Sequence, residues 1–177
     1  MSSLIGAVKA YAYMDRGGVV EADIHDGLET TLTVLAHKLK HTEIEIRRDY
    51  DRTLPPITIY GPELNQVWTN LLDNAIDALG RSGTITIATS RDGECIRVDI
   101  ADTGPGIAPE LRSRVFEPFF TTKEVGRGTG LGLDTARRIV VERHGGSLTF
   151  ESSEHGTTFH VWLGFHPSSP ARMEKPR

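Results

Sequence analysis

The sequence predicts an α+β domain, a two-layer sandwich in which three helices cover one face of a mixed sheet. Three observations carry that expectation. Apolar residues recur at helical spacing in three long segments, and each of these helices precedes a pair of strand-like runs. Strands that come in pairs rather than singly between helices exclude an alternating βαβ fold. Between the second pair and the last helix lies a stretch from Asp102 to Gly130 broken by glycines and prolines. A loop of that length inside a compact domain is usually functional.

The elements follow in order. Leu4, Ile5, Val8 and Tyr11 recur at helical spacing on a segment too short to be stable alone, so residues 1–15 read as the last turns of a longer helix. Arg16-Gly17-Gly18 breaks it. Asp23 can cap a helix through about Lys40, with Ile24, Leu28, Leu32 and Leu35 on its inner face. Ile44 and Ile46 alternate with charges from Glu43 to Tyr50, the pattern of a half-exposed strand, and Ile57 to Tyr60 is a second short one. Gly61-Pro62 opens a long helix, proline being suited to the first helical position. Its apolar stripe is Leu64, Val67, Trp68, Leu71, Leu72, Ala75, Ile76 and Leu79.

Thr84 to Ser90 and Glu94 to Ala101 alternate around Arg91-Asp92-Gly93, a hairpin signal. One short helix is expected near Pro109 to Phe116. Leu131 to Arg143 is helical and closes on Gly145-Gly146. Ser147 to Ser152 and Thr157 to Gly164 form a last hairpin, and the tail of residues 167–177 has the composition of a disordered segment.

The 177 residues suffice for one such domain, expected over residues 16–166. A net charge of −4 offers no basic surface for nucleic acid. The short pairs Arg47-Arg48 and Arg137-Arg138 read as solvated faces. A single cysteine, Cys95, excludes an internal disulfide and fits a reducing cytoplasm; it lies in a strand run and reads as a buried strand residue rather than a nucleophile. No apolar run approaches the roughly 18 residues that span a bilayer, and no signal peptide opens the chain, so a soluble, cytoplasmic domain is expected.

Three short motifs carry the chemistry. Asn70 and Asn74 stand four apart on the long helix and share a face, while Leu71, Leu72, Ala75 and Ile76 turn to the core. An amide oxygen is a neutral hard ligand suited to Mg²⁺, which is otherwise held by waters and phosphates. Asp102 follows a strand and precedes Thr103-Gly104-Pro105-Gly106-Ile107. A carboxylate accepts hydrogen bonds without donating, so it can select an exocyclic amine such as adenine's, and the two glycines let the backbone come close to a flat base. From Gly126 to Leu133, four glycines alternate with other residues just before a helix. Backbone N–H groups there, with the helix N-terminus, make an anion site, although neither the dinucleotide fingerprint nor the P-loop is present. Between these boxes, Phe116-Glu-Pro-Phe119-Phe120-Thr121-Thr122-Lys123 reads as a lid that docks by its aromatics, with Lys123 or Arg127 reaching phosphate oxygens.

Together these residues resemble the catalytic, ATP-binding domain of sensor histidine kinases, in the superfamily shared with DNA gyrase B, the heat-shock chaperone ATPases and MutL. The resemblance runs from about Asp23 to Leu163 and includes the asparagine box Asn70 to Ala75, Asp102 to Ile107, the phenylalanine box Phe116 to Phe120 and Gly128 to Leu133. His144-Gly-Gly and Gly156 to Phe159 also fit. It implies a Bergerat fold, with a mostly antiparallel five-stranded sheet, three helices on one face and an ATP lid.

It implies ATP and Mg²⁺ as cofactors and Asn74 as the metal ligand, with Asn70 beside it. Asp102 would bond the adenine amine, supported by Thr158 from the neighbouring strand. Gly104, Gly106 and Ile107 would line the base. Gly126, Arg127, Gly128, Thr129, Gly130, Leu131, Gly132 and Leu133 would surround the phosphates, with Asp77, Phe116, Thr121, Thr122 and Lys123 completing the site. Asn70, Asn74 and Lys123 would be the catalytic set. Residues 1–15 resemble the end of the dimerisation helix.

Two positions depart from the pattern. Many members carry a lysine three residues after the metal asparagine, where this chain has Asp77. The phosphoacceptor pattern is missing too: His25-Asp26 begins it, but no proline follows, so His25 is read as a first-turn helix residue. The chain alone is expected to bind nucleotide without autophosphorylating and to be monomeric, with a homodimeric parent.

Position 70 separates the superfamily's reactions. Hydrolysing members place a glutamate there as general base, and an asparagine cannot take a proton at neutral pH. A histidine acceptor needs no strong base, because neutral imidazole is already nucleophilic near pH 7. The resemblance therefore implies phosphoryl transfer to a histidine on the dimerisation domain and onward to a response regulator receiver domain. The alternatives are an ATPase of the gyrase or chaperone type and a nucleotide-binding module without turnover.

Overall fold

The computed structural model describes residues 18–166 apart from 125 and 127. The helical end expected over 1–15, the tail from 167 and Arg127 lie outside the described residues.

Asp23 caps the first helix as expected, its carboxylate accepting from the His25 N–H at 2.9 Å, and α1 runs from Ile24 to Leu39. It is preceded by β1 (Val20–Ala22), which pairs antiparallel with β3 (Ile57–Ile59) in a separate two-stranded sheet. Three residues are too few to show a period, so β1 is absent from the sequence expectation. The main sheet holds β2 (Glu43–Tyr50), β4 (Ser82–Asp92), β5 (Cys95–Asp102), β6 (Ser147–Ser153) and β7 (Gly156–Gly164) in the order β2-β4-β5-β7-β6. Only β2 and β4 run parallel, joined across the long helix α2 (Gly61–Leu79), so the sheet is mixed and mostly antiparallel, as expected.

The inward residues Ile85, Ile87, Ile96, Val98, Ile100, Phe159, Val161 and Leu163 meet the stripe of α2, where Leu64, Val67, Trp68, Leu71 and Leu72 are essentially inaccessible. Each such side chain contributes about 1.5–3 kcal/mol by leaving water. α1 and the last helix flank α2 on the same face. Among the described residues, no helix is long and apolar enough to cross a membrane.

The segment expected as a helix near 109–116 is a 3₁₀ turn, Pro109–Arg114. The last helix differs as well. It is α-helical for seven residues, α3 (Gly132–Arg138), and continues as a π turn over Ile139–Arg143. There His144 folds back, its Nδ1–H donating to the Ile139 carbonyl at 2.9 Å while Nε2 accepts from the Tyr60 N–H at 3.1 Å. Both ring nitrogens are used, which fixes the tautomer and ties the π turn to the start of α2.

Burial holds the His144 pKa below the ordinary histidine value of 6.5. The folded protein then binds fewer protons than the unfolded chain once pH falls through 6.5, so stability falls with acidification, by at most about 1.4 kcal/mol per pH unit. Urea midpoints at about pH 7.5 and pH 5.5 check this: His144→Gln is expected to be less stable at the higher pH and to lose less on acidification than the parent. An equal loss in both proteins would remove His144 from the account.

His25 is the first-turn residue the sequence suggests, and it is buried. Its Nδ1 lies 2.7 Å from Asp23 Oδ1 and its Nε2 2.8 Å from Thr89 Oγ1. The Asp23 carboxylate only accepts, so Nδ1 donates to it, and Nε2 is taken up by the Thr89 hydroxyl, which also accepts from the Asp51 N–H at 3.0 Å. This histidine joins α1 to β4 and presents no nitrogen to an outside reactant.

Candidate nucleotide site

The asparagine helix, the end of β5 and the long loop enclose a cleft of about 510 Å³. It is lined at one end by Asp102, Pro105, Gly106, Ile107 and Thr157, and at the other by Asn70, Asp73, Asn74 and Asp77 with the lid residues Phe120 to Lys123 and Gly128 to Gly130. Gly132 and Leu133, at the start of α3, also face it. The three motifs singled out in the sequence therefore converge on one cleft.

Asp102 ends β5, and its carboxylate accepts from the Gly104 N–H at 2.8 Å and from the Thr157 N–H. Burial pushes its pKa up, partly offset by these two backbone donors. Thr157, not Thr158, is its cross-strand neighbour: the register pairs Asp102 with Thr157 and Ala101 with Thr158. Side chains alternate across a strand, so Thr158 points to the opposite face and does not line the cleft. Thr157 Oγ1 lies 2.8 Å from Ser152 Oγ, which accepts from the Ile107 N–H at 2.7 Å. Ser152 and Thr157 thus shape the base end of the cleft, and the registers of β7 with β5 and with β6 reveal them.

The glycines do more structural work than the sequence implies. Gly104 does not line the cleft; a Cβ there would meet Asp102 Oδ1 at 2.9 Å. Gly106 has φ +76°, and a Cβ would sit 1.8 Å from the Ser153 carbonyl oxygen. Its lack of a side chain lets the loop cross the end of β6.

At the other end, Asn70 and Asn74 share a face as expected but are engaged differently. The Asn70 amide nitrogen donates to the Gly132 carbonyl at 2.9 Å, tying α2 to the first turn of α3. The Asn74 amide oxygen accepts from the Lys123 ammonium at 3.4 Å, so it already faces a cationic group. Such an oxygen fits a hard cation. Among the described residues no cluster of three or more His, Cys, Asp or Glu could hold a metal, and at this end of the cleft the Asn74 oxygen is a neutral ligand that a cation could share with other oxygens.

Lys123 also pairs with Asp77 Oδ2 at 2.5 Å, while Lys38 on α1 pairs with Asp77 Oδ1 at 3.2 Å and with Asp73. Burial works to raise the Asp77 pKa, but the ammonium groups of Lys123 and Lys38 outweigh it and hold this carboxyl below its ordinary value.

The Phe119 N–H donates to the Gly130 carbonyl at 2.9 Å, a backbone bond that closes the base of the lid. Gly130 has φ +70°, and a Cβ would lie 2.4 Å from the Phe119 carbonyl carbon. Phe119 itself is 76% exposed. Phe116 does not line the cleft. It packs edge-on against Phe150 and Phe159 at 5.9 and 6.5 Å and anchors the lid to the core, while Phe120 faces the cleft under the Arg114 guanidinium. Gly126 and Leu131 also lie off the lining, and Thr121 Oγ1 accepts from the Lys123 N–H at 3.1 Å. Only seven α-helical residues follow the glycines, so the helix dipole is short, and loop N–H groups with Lys123 are the donors that an anion at this end would meet. Cys95 is half-buried at the start of β5, where burial and the carboxylates of Asp92 and Glu94 push its thiol pKa up, as suits a structural residue.

Residues 60–167 match the model of the histidine kinase-, DNA gyrase B- and HSP90-like ATPases. The chain is 37% identical over 142 residues to the sensor histidine kinase ZraS of Escherichia coli K12, covering 80% of this chain and 30% of that protein. It thus spans about a third of the length of this curated relative. Among solved structures, the catalytic domain of the histidine kinase ThkA superposes with TM-score 0.77 at 31% identity, over 85% of this chain and 97% of that one. ThkA in complex with the response regulator protein TrrA superposes at 0.74 and 27% identity, over 94% of this chain and 48% of that one. The five-stranded sheet with helices on one side is the Bergerat fold of such catalytic domains. With the asparagine helix, the acidic glycine turn and the lid meeting in one cleft, this chain belongs to the family of histidine kinase-, DNA gyrase B- and HSP90-like ATPases.

Proposed function

We propose that the cleft binds ATP with Mg²⁺ and presents the γ-phosphoryl group to a histidine on a dimerisation domain of a sensor histidine kinase. The phosphoryl group then passes to an aspartate of a response regulator. The observation that carries this reading over hydrolysis is the side chain at position 70: an amide whose nitrogen is committed to the Gly132 carbonyl and which, unlike a carboxylate at that position, takes no proton from water. The kinds of protein that this chain is similar to, sensor histidine kinases and one such kinase in complex with a response regulator, support it.

The chain's residues then divide the work. Asp102 accepts from the adenine amine, with Thr157 taking the supporting role that the resemblance assigned to Thr158. Ile107 and Gly106 border the base, and the N–H groups of Gly128 and Gly130 face the phosphates with Lys123. Asn74 offers its oxygen to Mg²⁺, which supplies neutralisation of phosphate charge. Asn70 holds α2 and α3 at a fixed spacing. The acceptor imidazole displaces ADP in line, so the protein contributes mainly position and charge. The domain works on the cytoplasmic side, where ATP is, in a homodimeric parent; alone, the chain is monomeric.

Calorimetric titration of a nonhydrolysable ATP analogue tests the site. Asn74→Ala is expected to abolish the Mg²⁺-dependent part of its affinity and leave adenosine binding unchanged. Supplied with ATP and the dimerisation domain, the chain should place acid-labile phosphate on histidine without steady release of inorganic phosphate. Steady hydrolysis that Asn70→Ala removes would instead make this an ATPase of the gyrase or chaperone type.

A further inference from the structure

The charged groups around Asp77 form a chain that crosses three elements. Lys123 comes from the lid, Asp77 from the last turns of α2 and Lys38 from the end of α1. The two oxygens of Asp77 are divided between the lysines, Oδ2 to Lys123 at 2.5 Å and Oδ1 to Lys38 at 3.2 Å. Lys123 faces the Asn74 oxygen at 3.4 Å as well, so its ammonium lies at the phosphate end of the cleft. Lys38 does not line the cleft.

We infer that Asp77 competes with the nucleotide's phosphates for Lys123, and that Lys38 lets the lysine be given up by remaining as the counter-ion of Asp77. This rests on the nucleotide reading of the cleft. An unpaired carboxylate beside a polyphosphate would oppose binding, whereas one still paired with Lys38 does so far less. Lys38, Asp77 and Lys123 are each about one-third exposed, so the Asp77–Lys123 tie is a weak one that phosphate charge can break. Asp77 is therefore a positioning residue. It holds the lid's lysine against α2 before nucleotide arrives, and Lys38 sets how readily that lysine leaves.

The test uses the 177-residue chain, titrated with a nonhydrolysable ATP analogue plus Mg²⁺ and separately with adenosine, and followed by hydrogen exchange of the lid amides without nucleotide. Asp77→Asn should bind the analogue about two- to five-fold more tightly, the range of one partly exposed ion pair, with adenosine unchanged. Its lid amides should exchange faster before nucleotide is added and equally fast afterwards. Lys38 also pairs with Asp73, so its role is tested in the Asp73→Asn background: there Lys38→Met should weaken the analogue by a similar factor, and that loss should vanish when Asp77→Asn is added.

Unchanged lid exchange in Asp77→Asn overturns the inference, as does a Lys38→Met loss in the Asp73→Asn background that persists when Asp77→Asn is added, or an Asp77→Asn effect shared by adenosine. The nucleotide reading is separately at stake. An analogue whose affinity ignores Asp102→Asn defeats that reading, whereas normal dependence on Asp102 with no effect at Asp77 defeats the inference alone.

Discussion

Asp102→Asn is expected to remove about 1.5–3 kcal/mol of adenine-nucleotide affinity, roughly ten- to 150-fold, because it replaces a charged acceptor by an amide that also donates. The carboxylate already takes the N–H groups of Gly104 and Thr157, and its remaining acceptor capacity is what an exocyclic amine requires. An asparagine can keep one of these contacts but presents its NH₂ to either the backbone donors or the base. The loss should fall equally on ATP, ADP and adenosine, since all share the base. Calorimetry on the three ligands checks it, and a loss confined to ATP would move Asp102 to the phosphate end.

The same residue gives the binding a pH dependence. Burial raises the Asp102 pKa above the ordinary 3.8, so the acceptor form is lost at a higher pH than for an exposed aspartate. Nucleotide that bonds the ionised form pulls the pKa back down on binding. Affinity should therefore be constant at neutral pH and fall as pH drops toward the raised pKa of the free protein. Asp102→Asn should flatten that part of the profile.

Gly106→Ala is the second large effect, and it acts through the backbone. At φ +76° an added Cβ meets the Ser153 carbonyl oxygen at 1.8 Å, far inside contact distance, and that atom belongs to a strand paired with β7. The left-handed conformation alone costs about 1–2 kcal/mol for a residue with a side chain. Relief requires the loop to lift off β6, which breaks the Ile107 N–H to Ser152 Oγ bond and disturbs Thr157 behind it. A loss of about 2–4 kcal/mol is expected, a drop of roughly 4–16 °C in Tm for a domain of this size, together with weakened adenosine binding. Scanning calorimetry checks the first and titration the second; an unchanged Tm would mean that the loop is free to move without cost.

Most of the site was legible because its residues are close together in sequence on elements of strong period. Four residues on a helix necessarily bring Asn70 and Asn74 to one face, and Asp102 follows directly from a run of alternating apolar residues. Thr157 was missed by one position. The Gly-Thr-Thr-Phe stretch offers two threonines, and only the pairing with β5 decides which of them turns inward, because a shift of one residue exchanges the faces of a strand. Ser152 depends in turn on the register of β6 with β7. Phe116 was grouped with the cleft because it sits in an aromatic box, yet its ring completes a core cluster with Phe150 and Phe159, more than thirty residues further along. Lys38 gave no signal at all, since a lysine in the last turn of a helix is ordinary and its partners Asp73 and Asp77 lie on another helix.

By itself, the sequence determined the helices, the paired strands, the asparagine face, the acidic glycine turn and the absence of a base at position 70. All of these rest on spacing within single segments or on the chemistry of one side chain. Tertiary structure alone decided that Thr157 supports Asp102, that Gly106 is required by the Ser153 carbonyl, and that Asp77 stands between Lys38 and Lys123. Each of these depends on strand register or on where a loop crosses another element. Such distances between remote segments are set by packing of the whole core, which no local pattern encodes.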